Sequence, residues 1–193
     1  MKELALHILD IMQNSVAAGC SRIFISVKTV ADDSMIEITV RDNGRGMNSE
    51  EAQAALDPFY TSRTTRDVGL GLPMFREAAV MTGGDLEISS VPGEGTEVKA
   101  VFGTRSIDRQ PLGSLGNIIM LHMISNEDIE LRLELESSRG SYCFESSVII
   151  AEALESGGSA MDAAFESEEL ADRAEKRVFS GILTELGGNP DGA

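Results

Sequence analysis

A chain of 193 residues, 42% hydrophobic and 25% charged, has the make-up of an ordinary globular protein with one substantial core and room for a small second one. Its formal net charge of -16, from 32 acidic against 16 basic residues, repels phosphate backbones and anionic lipid surfaces and so argues against nucleic-acid and membrane partners. Glu3, His7 and Asp10 interrupt the apolar start and spoil a signal-peptide core, and nowhere do about 18 apolar residues run together, so the expected location is the cytoplasm.

The elements can be taken in chain order. Leu4, Ile8, Ile11, Ser15 and Ala18 fall at helical spacing and Gly19 follows as a stop, which predicts a helix over 4–18. Arg22 to Thr29 and Met35 to Asp42 alternate apolar and polar residues around the turn Ala31 to Ser34, which predicts a hairpin. Asn48 or Ser49 caps a short helix through Leu56, with Glu50 and Glu51 in its first turn and Pro58 closing it. Pro58 to Val68 reads as loop. A third helix is expected from Leu70 to Met81, ended by Gly83 and Gly84, followed by strands over 85–90 and 96–102 around Pro92-Gly93-Glu94-Gly95. Helices are expected on one face of a mixed sheet.

From Arg105 the texture changes. A short apolar stretch flanked by Gly113 and Gly116 runs to Ile124, a hairpin is expected over 129–145 with its turn at Ser138-Arg139-Gly140, and amphipathic stretches cover 147–154 and 160–186. Cys20 and Cys143 lie far apart without further ligands nearby, so neither a zinc site nor a disulfide framework is indicated.

Three segments carry residues suited to chemistry. On the first helix His7, Asp10 and Asn14 project from one side, and a carboxylate stacked on an amide can orient water and offer oxygen to magnesium; a solvated helix face is the alternative. The first hairpin ends in Asp42-Asn43-Gly44-Arg45-Gly46-Met47, where Asp42 can accept from an exocyclic amino group and the two glycines leave room for a flat ring; a plain Asn-Gly turn is the alternative. Asp67-Val68-Gly69-Leu70-Gly71-Leu72 sets a glycine pair before a helix whose free amides can hold phosphate oxygens, with Arg63 and Arg66 just upstream to meet the remaining charge. A Rossmann reading fails, because no strand feeds these glycines and the Gly-x-Gly-x-x-Gly spacing is absent.

In this order the three segments resemble the N, G1 and G2 boxes of the GHKL ATPases, the superfamily of gyrase B, MutL and the histidine kinases. Pro58-Phe59-Tyr60-Thr61-Ser62 resembles the F box, and Pro92 to Thr96 the final glycine box, so the resemblance spans about residues 1–103. It implies a Bergerat fold, a two-layer α+β sandwich over 1–104, with 105–193 as a small α+β interaction region. It implies Mg-ATP as ligand, with Asn14 on the metal and Asp42 on adenine. Gly44, Gly46, Met47, Phe59, Thr61, Arg63, Gly69, Leu70, Gly71 and Thr96 complete the nucleotide site that it implies. Asp10 stands where gyrase-like members carry a water-activating glutamate and many histidine kinases an asparagine, and is the candidate catalytic residue. Asp67 and Val68 replace small residues, and the lid between Tyr60 and Gly69 is short.

The resemblance implies a stand-alone bacterial regulator of kinase type, acting on a partner protein such as a regulator, a sigma-type factor or a redox enzyme. ATP hydrolysis driving a conformational switch, and non-catalytic ATP-gated binding, are the alternatives; a homodimer is compatible with each. No His-Glu-x-x-x-Pro phosphoacceptor segment occurs. The stretch 107–130 also resembles the tail of small ATP-binding proteins associated with iron-hydrogenase systems in anaerobic bacteria, which points to a redox partner.

Overall fold

The computed structural model describes residues 3–57 and 71–183. Helix α1 (Leu4–Ala17) buries Leu4, Ile8, Ile11, Met12 and Ser15, the row at helical spacing, and the chain turns away at Gly19 with φ 74°. Glu3 gives this helix no side-chain cap. Instead the amides of Leu4 and Ala5 donate to the carbonyls of Pro111 and Leu112 at 3.0 and 2.8 Å. Helix starts leave such amides without partners, and here a segment more than a hundred residues downstream supplies them.

Strands β1 (Arg22–Val30) and β2 (Met35–Asp42) form the expected hairpin, with Ile23, Ile25, Val27, Ile36, Ile38 and Val40 buried on one face. The turn is tight: Ala31, Asp32 and Asp33 all take positive φ, and Asp33 accepts from Thr29 and from Ser138 of a distant turn. Helix α2 (Ser49–Ala54) is short, and its capping box joins Asn48 to Glu51. Helix α3 (Gly71–Met81) buries Phe75, whose ring lies 5.3 Å from that of Phe102. Strands β3 (Leu86–Val91) and β4 (Gly95–Gly103) add to the sheet through β2, with Asp42 opposite Thr96.

Beyond residue 104 the sheet continues. After α4 (Leu115–Ser125), strand β5 (Glu130–Ser137) runs parallel to β1, Ile25 opposite Leu133, and β6 (Gly140–Glu145) closes the edge. One mixed sheet in the order β3-β4-β2-β1-β5-β6 therefore crosses the expected boundary at 104, making the fold α+β with an open six-stranded sheet. Its inner face packs on the helices; its outer face carries paired charges such as Lys28–Glu37 and Arg132–Glu145.

The last helices are α5 (Ser146–Glu155) and α6 (Ala160–Phe179). Helix α6 turns Ala163, Ala164, Ser167, Ala171 and Ala174 inward, and α4 lies against it at Gly116, where a Cβ would stand 2.3 Å from the Glu168 carbonyl oxygen. It stops at Phe179, short of the expected Leu186, because Ser180 turns to extended ψ and Gly181 to φ 70°. Among the described residues no helix is long and apolar enough to cross a membrane.

Candidate nucleotide site

The site is built where the end of β2 meets α1 and the start of α3. Asp42 is half-buried and both its oxygens are engaged: Oδ2 accepts from Ser15 Oγ at 2.7 Å and Oδ1 from the Gly44 amide at 2.8 Å. Each carboxylate oxygen accepts more than one hydrogen bond, so Asp42 keeps capacity for a ligand's donor while its rotamer is fixed. Its charge is also felt locally. Burial first, and the Asp42 charge second, push the Cys20 thiol up to about 11, so that cysteine is an unreactive packing residue at neutral pH.

At Gly44 and Gly46 the Cβ positions face the protein itself. A Cβ on Gly46, whose φ is 64°, would stand 2.0 Å from the Val91 carbonyl oxygen; one on Gly44 would stand 2.9 Å from the Ala18 Cβ. The loop after β2 is thus clamped between the end of α1 and the β3–β4 turn. Arg45 donates its amide to Ala18 O at 3.0 Å and accepts from the Gly93 amide at 2.7 Å. Asn43 turns toward the protein: its Oδ1 accepts from the amides of Ser21 and Arg22 at 2.9 Å and pins the start of β1. These glycines serve the site by letting backbone meet backbone, which fixes Asp42 from below.

Asp10 and Asn14 lie one turn apart on α1, both half-buried at the margin of its buried face. The Asp10 carboxylate sits directly on Gly71, where a Cβ would come within 1.8 Å of Oδ2, so a side chain there would have to displace the carboxylate. A carboxylate at a helix start is electrostatically favoured. His7, one turn earlier, is 1% exposed; its ring stacks on Phe75 at 4.9 Å and its Nε2 meets Gln110 Oε1 at 3.2 Å. Burial holds the His7 pKa below its usual value, and the Gly71 backbone lies near the ring without the geometry of a hydrogen bond to Nδ1. His7 is therefore a core residue tying α1, α3 and the 105–114 segment together.

Met47 and Thr96 are drawn into one network by Ser90, whose Oγ accepts from the Met47 amide at 2.8 Å and lies 2.8 Å from Thr96 Oγ1. Phe59, Thr61, Arg63, Gly69 and Leu70 lie outside the described residues, as do the rest of the F box and most of the G2 box. Ser15 and Ser90 are supporting residues that motif spacing does not reveal, while Gly95 belongs to the final glycine box. Gly95 has φ 122° and would collide with the Asp42 carbonyl oxygen at 2.0 Å if it carried a Cβ. A separate cavity of about 360 Å³ on the solvent face, lined by Glu87, Ser89, Glu97 and Lys99, contains none of these residues.

The family model described as histidine kinase-, DNA gyrase B-, and HSP90-like ATPase matches residues 2–105, just over half of the chain. Sensor histidine kinase YxdK of Bacillus subtilis is 33% identical over 111 residues, which is 54% of this chain and 34% of that protein. The non-motile and phage-resistance protein of Caulobacter vibrioides is 30% identical over 112 residues, covering 53% of this chain and 13% of its own. Signal transduction histidine-protein kinase AtoS of Escherichia coli is 33% identical over 89 residues, 46% of this chain and 14% of that one. The chain thus spans about a third, at most, of the length of these curated relatives. Among solved structures, a mycobacterial sensor histidine kinase, MprB, aligns with a TM-score of 0.41 over 50% of this chain and 67% of its own, at 20% identity.

Proposed function

The chain belongs to the histidine kinase-, DNA gyrase B- and HSP90-like ATPase family through residues 2–105, and from that premise we propose that it is a Mg-ATP-dependent, kinase-like regulator acting on another protein. The observation that carries the reading is Asp42, a half-buried carboxylate fixed by Ser15 and Gly44 with acceptor capacity left over. The adenine amino group would donate to Asp42. The Asn14 side-chain oxygen would hold magnesium, whose other ligands would come from phosphates and water, as that ion prefers. Bound Mg-ATP supplies a transferable γ-phosphoryl group; transfer moves it to an acceptor oxygen or nitrogen and leaves ADP.

The acceptor belongs on a partner in this reading. His7 and His122, the two histidines of the sequence, are 1% and 4% exposed, so a histidine acceptor has to come from outside residues 1–193. Asp10 is assigned to the water or γ-phosphate side of the site, a reading supported by its contact with Gly71 on α3, beside which phosphate charge would gather.

A second reading, ATP as a ligand that sets the shape of the C-terminal layer, is favoured by one specific observation. The 105–114 segment holds the start of α1 through Pro111 and Leu112 and touches His7 through Gln110, so the helix carrying Asp10 and Asn14 is bonded directly to the region after 104.

Calorimetry with Mg-ATP on wild type and Asp42→Ala, followed by phosphate release on the same samples, tests both. Binding that Asp42→Ala abolishes supports the site. Release or transfer of phosphate then supports the kinase-like reading, and tight binding without either supports the gated one. No binding by wild type would overturn both.

A further inference from the structure

An apolar seam with acidic borders runs along the outside of α4 and α6. Leu121, Ile124, Met161 and Phe165 are 42%, 37%, 55% and 52% exposed, which is unusual for side chains of this size on neighbouring helices. The two helices are antiparallel, since the Leu115 amide reaches Glu175 while the Gly116 amide, one residue on, reaches Asp172 and the Gly116 backbone meets Glu168. Leu121 and Ile124 lie about 7.5 and 12 Å beyond Gly116 along α4, and the same distances back along α6 lead to Phe165 and the turn of Met161. The row on α6 that ends at Glu168 and Asp172 on the α4 side begins at Met161 and Phe165. Ile124, about 80° round α4 from Gly116, borders that row, and Leu121, three residues earlier, extends the apolar surface over the exposed side of α4.

Its electrostatic setting is one-sided. From Leu115 to Ile129 and from Ser146 to Asp172 the sequence contains no lysine or arginine, while Glu127, Asp128, Asp162, Glu166 and Glu169 are exposed around the seam. Interfaces place aromatic and methionine anchors at a desolvated centre and charges at the rim. The geometry points to a docking surface on α4 and α6 for a partner protein that presents an amphipathic segment, apolar in the middle and bordered by lysine or arginine. A second copy of this chain would bring two acidic rims together, and an anionic lipid surface would be repelled by the same charges. The inference rests on the proposed function only in supposing that a partner exists.

The test uses the full chain and a synthetic helical peptide of leucine and lysine arranged on opposite faces, with a scrambled peptide of identical composition as control. Wild type is expected to bind the amphipathic peptide about tenfold or more tightly than the scrambled one, in keeping with the weight of aromatic anchors in interfaces. Phe165→Ser combined with Ile124→Ser, which leaves every charge in place, is expected to erase that difference without changing Mg-ATP affinity. Equal binding of the two peptides by wild type overturns the inference, as does a preference that survives in the variant. Sedimentation showing that wild type pairs with itself through a face the variant loses overturns it in favour of a second copy. If the double variant fails to fold by circular dichroism, Met161→Gln alone carries the comparison. Mg-ATP affinity of wild type, measured in parallel, separates a failure of the ATP reading from a failure of this one.

Discussion

Ser15 Oγ donates to Asp42 Oδ2 across 2.7 Å, joining the buried face of α1 to the last residue of β2. Ser15 is 1% exposed, and among the described residues its other acceptor in reach is the Ile11 carbonyl at 3.2 Å. A hydroxyl has one proton, and the shorter contact to a charged oxygen is the stronger claim on it. Replacing Ser15 with Ala keeps the volume and removes the anchor, leaving the Gly44 amide as the partner of Asp42 among the described residues. Losing a hydrogen bond to a charged group costs on the order of 1–2 kcal/mol, so ATP affinity is expected to fall about 5- to 30-fold while the fold is retained. An unchanged dissociation constant in calorimetry would show that Ser15 does not position Asp42.

Asp10 and Gly71 make a second test because their contact is steric as well as electrostatic. Any side chain on Gly71 meets the Asp10 carboxylate, so Gly71→Ala is expected to destabilise the protein by roughly 1–3 kcal/mol through overpacking. Asp10→Ala in the same chain vacates that space, and the double variant is expected to recover most of the loss in urea unfolding. Simple additivity of the two single effects would mean that the helices do not meet as described.

The nucleotide half of the fold was legible because its signals are local. Alternation in β1 and β2, the Asn48 capping box and the glycines after α1 and α3 each lie within a few residues of what they specify. The pairing of β5 with β1 was not legible, since Leu133 and Ile25 are joined only by tertiary structure and a parallel neighbour leaves no mark in either strand. Helix α4 is apolar on most of its surface, with Leu115, Ile118, Ile119 and Met123 buried against the core, and so showed an apolar stretch without helical periodicity. At the candidate site Asp42 is marked by its place at the end of β2, whereas Ser15 reads as one member of a helical row and its bond to Asp42 exists only in the tertiary structure.

His122 gives the protein an acid-sensitive point away from the site. It is 4% exposed, its Nε2 has no hydrogen-bond partner among the described residues, and burial pushes its pKa down to about 4 from an ordinary value near 6.5. The folded state therefore binds fewer protons at this residue than the unfolded chain. Its contribution to stability is full above about pH 6.5 and is lost progressively as pH falls toward 4. His122→Leu removes the ionisable group, so the stability advantage of the variant over wild type is expected to widen between pH 7 and pH 4.5, by a few kcal/mol at most. Taking the difference between the two proteins cancels the changing repulsion among the many carboxylates. Urea midpoints that shift in parallel over that range would show that His122 is protonated in the folded state.

Helix α4 begins on the carboxylates of α6, and that junction sets the position of the whole C-terminal layer. Asp172 accepts from Ser114 Oγ at 3.0 Å and from the Gly116 amide at 3.1 Å, so one side chain both braces the N-cap residue and satisfies a free amide of the first turn. Asp172→Asn keeps the shape and weakens both bonds, and is expected to cost about 1 kcal/mol; Asp172→Ala leaves the amide without a partner at the helix junction and is expected to cost about 2 kcal/mol. Gly116→Ala attacks the same junction sterically, driving a methyl group toward the Glu168 carbonyl, and should exceed both because backbone rather than a flexible side chain has to give way. Amide exchange over 115–125 is the sensitive readout, since the junction can loosen before the sheet unfolds. The expected order of exchange rates is wild type, then Asp172→Asn, Asp172→Ala and Gly116→Ala, each faster than the one before. If Gly116→Ala left α4 protected, the close approach of the two helices would not be what holds this layer in place.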